Sequence, residues 1–247
     1  MLLEGKNAVI YGGGGTIGGA VARAFAREGA AVFLAGRTQE KLEAVAADIR
    51  GGGGAAEVDV VDALDERSVD EHAGKVGRID ISFNLISLGD VQGTPVIEMN
   101  VEDFMAPIGN AVRSTFLTAR AAGRVMVRQG SGVLLLFGGS GEPLRDYSIG
   151  GLQVAYEALE AMRRQFASEL GRHGVRVVTI RTSGVIDSIP AGYDGRDELV
   201  ASLEGMTILG RGALLEDVGN VAAFVASDKA RTMTAATANI SCGALID

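Results

Sequence analysis

Two stretches of this chain carry residue types suited to gripping a phosphorylated ligand. In AVIYGGGGTIGGAVARAFAREGA, Gly12, Gly14 and Gly15 stand immediately ahead of Thr16 and Ile17. Backbone without side chains can approach a diphosphate closely, and the free N–H groups at a helix start carry partial positive charge. Behind the glycines, Ile17, Val21 and Phe25 recur on one helical face, so the run reads as strand, turn and helix opening on an anion. A purely structural turn is the bland alternative, and its place after the first strand argues against it. The second stretch is AAVFLAGRT, which ends in Gly36, Arg37 and Thr38. An NAD site places an acid there for the ribose hydroxyls, whereas a 2′-phosphate needs the acid absent and a cation present. Arg37 can give a phosphate two charge-assisted hydrogen bonds and Thr38 can add a hydroxyl, so the pair favours NADP(H). Against this, Arg37 also reads as a solvated loop cation.

The elements that must position these residues follow from the hydrophobic pattern. Short β-branched runs alternate with longer helical periods, the pattern of parallel strands joined by crossover helices. Strands are expected at 7–11, 31–35, 56–60, 79–84, 132–137, 176–181 and 238–241. Helices are expected at 17–28, 38–49, 66–76, 101–128, 152–172 and 215–227. The fold class is α/β, a doubly wound seven-stranded parallel sheet of the Rossmann type in a single domain over 1–247. A chain of 247 residues, 47% hydrophobic, can bury one ample core. Its glycine clusters at 12–15 and 51–54 sit where turns belong, and the irregular segment 186–209 reads as a lid or a plain connection. A net charge of −8 disfavours nucleic acid and anionic membrane, leaving a small molecule as the expected partner. The N-terminus has no signal-peptide pattern and no run is long enough to span a membrane. One cysteine, Cys242, fits a reducing cytoplasm; the separated His72 and His173 offer no metal site.

These features resemble the short-chain dehydrogenase/reductase family from LEGKNAVIYGGGGTIG to TAATANISCGALI, essentially the whole chain. The family's Gly-x-x-x-Gly-x-Gly maps onto Gly12, Thr16 and Gly18, with Tyr11 where threonine is usual. The resemblance implies that Asp59 and Val60, in EVDVVD, hold the adenine. GRIDISFN is similar to the strand before the family's Asn-Asn-Ala-Gly, which here reads Asn84-Leu85-Ile86-Ser87, so Asn84 and Ile86 are expected beside the cofactor. GVIDS, from Gly184, resembles the segment that binds the nicotinamide amide, with the backbone of Ile186 in that role and one extra residue ahead of it.

By the same resemblance the catalytic tetrad is missing. The tyrosine position falls on Leu152, the lysine position on Tyr156, the serine position on Gly139 and the asparagine position on Ala111, with Asn110 just before it. Leu152 cannot transfer a proton, and a phenol needs a nearby cation to titrate near neutrality. Ser140, Tyr147 and Tyr156 are the relocated donor candidates, each also readable as an ordinary turn, surface or packing residue; Glu142 and Asp146 are further acids in that loop. Three readings follow: an NADP(H)-dependent reductase of a carbonyl or enoyl small molecule with a relocated proton donor, a nucleotide-binding scaffold without turnover, and a non-redox lyase, isomerase or cyclase. The apolar helices at 101–128 and 152–172 suggest a homodimer or homotetramer.

Overall fold

A computed structural model describes residues 1–139 and 147–246. Seven parallel strands form one sheet in the order β3-β2-β1-β4-β5-β6-β7. They are β1 Asn7–Tyr11, β2 Ala31–Gly36, β3 Ala55–Val60, β4 Ile81–Asn84, β5 Gly132–Gly138, β6 Val175–Arg181 and β7 Ala236–Asn239. The helices are α1 Thr16–Arg27, α2 Gln39–Gly51, α3 Glu66–Val76, α4 Val101–Gln129, α5 Leu152–Leu170, α6 Arg196–Gly205 and α7 Leu215–Ala226. The expected doubly wound Rossmann architecture is the one observed.

Helices cover both faces of the sheet, which is why its inner strands are continuously apolar. On one side Val21 and Phe25 of α1, Leu42 and Val45 of α2 and Val218 of α7 pack on Ile10, Leu34 and Phe83. On the other, Val69 of α3, Leu117 and Met126 of α4 and Leu159 of α5 pack on Val9, Leu134 and Val177. Each such side chain, fully buried, stabilises the fold by roughly 1.5–3 kcal/mol. The edge strand β3 escapes the rule, carrying Glu57 and Asp59 among half-exposed positions.

Three boundaries differ from the sequence pattern. β4 starts at Ile81 because both backbone polar groups of Ile79 are taken by the Gln129 amide, at 3.0 and 2.8 Å. β7 ends at Asn239 because the Asn239 side chain turns back to accept from the Ser241 amide at 3.1 Å. Helix α6 lies inside the segment read as irregular; none of its residues is buried, so no apolar stripe announced it.

The chain runs outward through β1, β2 and β3, then returns across β1 to continue with β4. Connections therefore part on either side of β1 and open a crevice at the carboxyl ends of β1 and β4. Across that crevice, helices α4 and α5 meet at Gly151, where any Cβ would strike the Phe104 carbonyl oxygen and approach Pro107 Cγ to 3.2 Å. Gly151→Ala should therefore cost about 3 kcal/mol. Differential scanning calorimetry would show this as a Tm lowered by roughly 6–12 °C.

Candidate functional site

Two adjoining clefts fill the crevice, of about 330 and 280 Å³. They share Gly15, Leu85, Ile86 and Ser87, so one elongated ligand can run through both.

The first cleft is built around the β1–α1 turn. Gly12 has φ +76°, and a Cβ there would collide with the Leu85 carbonyl; one on Gly18 would collide with the Gly12 carbonyl. Gly15 caps α1 with no side-chain hydrogen bond, and the first turn holds no acid. The amides of the helix start are thus left to a ligand, with the dipole favouring an anion. Gly12, Gly14 and Gly15 line this cleft; Gly15, Thr16 and Ile17 line the second. Across from the turn stand Arg37 and Thr38, joined by Lys41. Thr38 caps α2 without spending its side chain on the helix. Lys41 was not singled out from the sequence; its signal is a cation one helical turn beyond Arg37, on the strand-to-helix connection. A glycine cradle that tolerates no Cβ, facing two cations, fits a dinucleotide bearing an extra phosphate.

Asp59 and Val60 stand elsewhere. The Asp59 carboxylate is bonded to Lys75 and lies 3.6 Å from His72, and the Val60 side chain is exposed. The residues that line the first cleft are Val61, Asp62, Ala63 and Leu64. Asp62 sits past the strand end, where its Oδ1 accepts from the Leu64 amide at 2.9 Å. Two aspartates three residues apart made the register ambiguous; the N-cap at Asp65, which accepts from the Ser68 amide, fixes it. Beneath this cleft Tyr11 is buried edge-on to His72, ring centroids 5.8 Å apart, with its hydroxyl unpartnered. Burial, followed by the charge of Asp70, pushes the Tyr11 phenol well up; burial lowers the pKa of His72.

The second cleft holds Asn84, Asp90, Thr115, Leu152, Tyr156 and Ser188. Asn84 donates to Ser114 Oγ at 2.8 Å, tying β4 to α4, and its Oδ1 accepts weakly from the Ile86 amide at 3.4 Å. Ala111 is wholly buried, while Asn110 lines the first cleft and donates to the Leu88 carbonyl at 2.9 Å. Leu152 forms an apolar wall. Tyr156 projects from the next turn of α5, and its ring lies over Gly139, where any Cβ would collide with Cε2. Burial, with a smaller contribution from Asp90, pushes its phenol up to about 12.

Six other expected positions lie apart from the clefts or outside the described residues. Gly184 packs against Leu203, and the Ile186 amide is spent on the Ala213 carbonyl at 2.9 Å. From the same turn it is Ser188 that reaches the second cleft, because the short helical turn Ile186–Ser188 swings it inward. Tyr147 is exposed beside Gly93, outside both linings. Ser140, Glu142 and Asp146 lie outside the described residues.

Comparison with known proteins agrees with this architecture. The family model described as "Enoyl-(Acyl carrier protein) reductase" matches residues 14–244. Sorbitol dehydrogenase of Cereibacter sphaeroides is 32% identical, over 98% of each chain. The 7alpha-hydroxysteroid dehydrogenase of Clostridium sardiniense is 31% identical, over 94% of this chain and 90% of that one. Among solved structures, a short-chain dehydrogenase/reductase of Mycobacterium ulcerans superposes with a TM-score of 0.91 at 26% identity, covering 99% and 91% of the two chains. An NAD(P)-dependent gluconate 5-dehydrogenase from Beutenbergia cavernae, crystallised with NADP at low occupancy, gives 0.86 at 27% identity, covering 97% and 96%. The chain belongs to the short-chain dehydrogenase/reductase family of oxidoreductases.

The packing of Tyr156 on Gly139 makes a quantitative expectation. Gly139→Ser should destabilise the protein by about 1–3 kcal/mol through overpacking. In a Tyr156→Ala background the same change should cost at least about 1 kcal/mol less. Urea denaturation of the four variants measures the coupling; equal costs in both backgrounds would refute the contact.

Proposed function

We propose that this protein is an NADP(H)-dependent reductase of a small carbonyl or enoyl compound, with Tyr156 as the relocated proton donor. The observation that carries the reading is the convergence of Arg37, Thr38 and Lys41 on the cleft that the glycine turn opens. Gly12, Gly14, Gly15, Thr16 and Ile17 would hold the diphosphate, and Asp62 takes over the adenine role expected of Asp59. Asn84 and Ile86 line the nicotinamide side; with the Ile186 amide spent inside the protein, Ser188 is the nearer polar contact from that loop. When bound, the reduced coenzyme supplies hydride to the substrate carbon.

The chain's own residues shape the rest of the reaction. Leu152, Phe137 and Leu159 exclude water from one wall of the second cleft, and the Tyr156 hydroxyl stands among them. No lysine lines that cleft among the described residues: Lys6 pairs with Asp228, Lys75 with Asp59, Lys41 belongs to the first cleft and Lys229 sits in the short helical turn Asp228–Ala230. Without a cation beside it, a phenol pushed to about 12 stays protonated at neutral pH. It can give a proton to a developing oxyanion but is a poor base for an alcohol, which favours reduction over oxidation. Exposed Val101, Met105, Val112 and Phe116 along α4 support a homodimer or homotetramer. No helix among the described residues is long and apolar enough to cross a membrane.

A nucleotide-binding protein without turnover is the second reading, favoured by a cleft that, among the described residues, sets no cation beside Tyr156. Melting curves and absorbance assays separate the two: NADPH raises Tm under both, and its oxidation with ketones or enones occurs only under the first.

Charge removal tests the cofactor. Arg37→Ala and Lys41→Ala should each weaken NADPH binding about tenfold or more and leave NADH nearly unaffected, read by calorimetry. The proton donor is tested by pH. Because burial raises the Tyr156 pKa, the active protonated form persists as pH rises, so the reductive kcat should hold from pH 7 to 10 and decline only towards 12. Tyr156→Phe should lower kcat about a hundredfold with KM little changed. A variant retaining full kcat would remove Tyr156 from the chemistry.

A further inference from the structure

The mouth of the second cleft carries a combination that the reaction does not use. Asp90 lines the cleft beside Tyr156, and one of its carboxylate oxygens accepts from the Gln92 side chain at 2.6 Å. Among the described residues, no arginine or lysine forms an ion pair with it and none lines this cleft. The loop carrying Asp90 is stitched to the approach to α5, since the Gly93 amide donates to the Ser148 carbonyl at 2.8 Å. That contact sets the exposed ring of Tyr147 against Gly93, with the exposed ring of Tyr193 in the loop ahead of α6. Tyr156 and Tyr147 both sense the negative charge of Asp90, and Tyr147 also senses Tyr193, in each case after the effect of burial. Asp90 and Tyr156 thus share the lining of one cleft, with Tyr147 held against the same loop at Gly93, and no cation among the described residues pairs with this half-buried carboxylate.

We propose that this mouth is an ammonium site, in which Asp90, beside Tyr156 in the cleft and next to the loop that holds Tyr147, recognises a protonated amine on the substrate. The proposal rests on the reading of the second cleft as the reacting side. A carboxylate leaving water is stabilised by an opposite charge, and phenol faces attract a cation through their quadrupole. An anionic substrate meets the reverse: its carboxylate or phosphate would be desolvated against Asp90 with no countercharge among the described residues.

The test uses 1-methylpiperidine, protonated at pH 7.5, and its neutral ring analogue tetrahydropyran, titrated into the full-length protein by ligand-observed NMR. The cation should bind about tenfold more tightly, and Asp90→Asn should abolish that preference. Tyr147→Leu should reduce it severalfold while the fold, read by circular dichroism, is kept. In NADPH oxidation, 1-methyl-4-piperidone should likewise exceed tetrahydropyran-4-one in kcat/KM about tenfold. Equal binding of the two rings, a preference that survives Asp90→Asn, or tighter binding of the polyol xylitol would overturn the proposal. A selective ammonium site without turnover of either ketone would keep it and overturn the reductase reading. Turnover of both ketones at equal kcat/KM would do the opposite.

Discussion

The structure depends on a contact between backbones at the carboxyl end of β1. Gly12 passes so close to the Leu85 carbonyl, and Gly18 to the Gly12 carbonyl, that neither position has room for a Cβ. Strand β1, the start of α1 and the exit of β4 are therefore locked to one another through main-chain atoms, whose positions vary little with side-chain rotamer. The crevice inherits that rigidity. Its phosphate-facing amides are fixed by the sheet before any ligand arrives, so less conformational entropy is lost on binding. The same closeness explains the two clefts: the β1–α1 turn and the β4 exit form the waist where they meet.

What the sequence made legible was what local chemistry dictates. The glycine turn, the strand ending in Gly36 and Arg37, and six of the helices declare themselves through period and breaker residues, and the alternation of short β-branched runs with helical periods announced the parallel sheet. What it concealed depended on register and on long-range pairing. Asp59 and Asp62 are equivalent in composition, and only the N-cap at Asp65 and the Lys75 bond separate their roles. The Ile186 amide looked free because its acceptor, Ala213, lies far along the chain. Helix α6 has no buried face, and a helix that packs on nothing leaves no periodic trace.

The pairing of Gly139 with Tyr156 couples the end of β5 to α5. A side chain at 139 and the ring of Tyr156 compete for this space, because a Cβ on Gly139 would meet the ring edge. A bare position just after β5 and a phenol on α5 are thus one steric arrangement, and the phenol lines the second cleft. The electrostatic setting nevertheless differs. A lysine beside a tyrosine lowers the phenol pKa, whereas here burial and Asp90 raise it.

That inversion has a consequence for the whole pocket. In a site whose fixed charge is Asp90 rather than a lysine, negative charge developing on a substrate oxygen is opposed instead of stabilised, and a neutral donor must bear the load alone. A substrate that carries its own positive charge changes the balance. Its ammonium would neutralise Asp90, relieve the phenols of the carboxylate's field and ease the pKa of Tyr156 back towards the ordinary value. On the proposed reading, the positive charge that no described residue brings to this cleft would then come in part from the substrate itself, which would tie the identity of the substrate to the chemistry of the proposed donor.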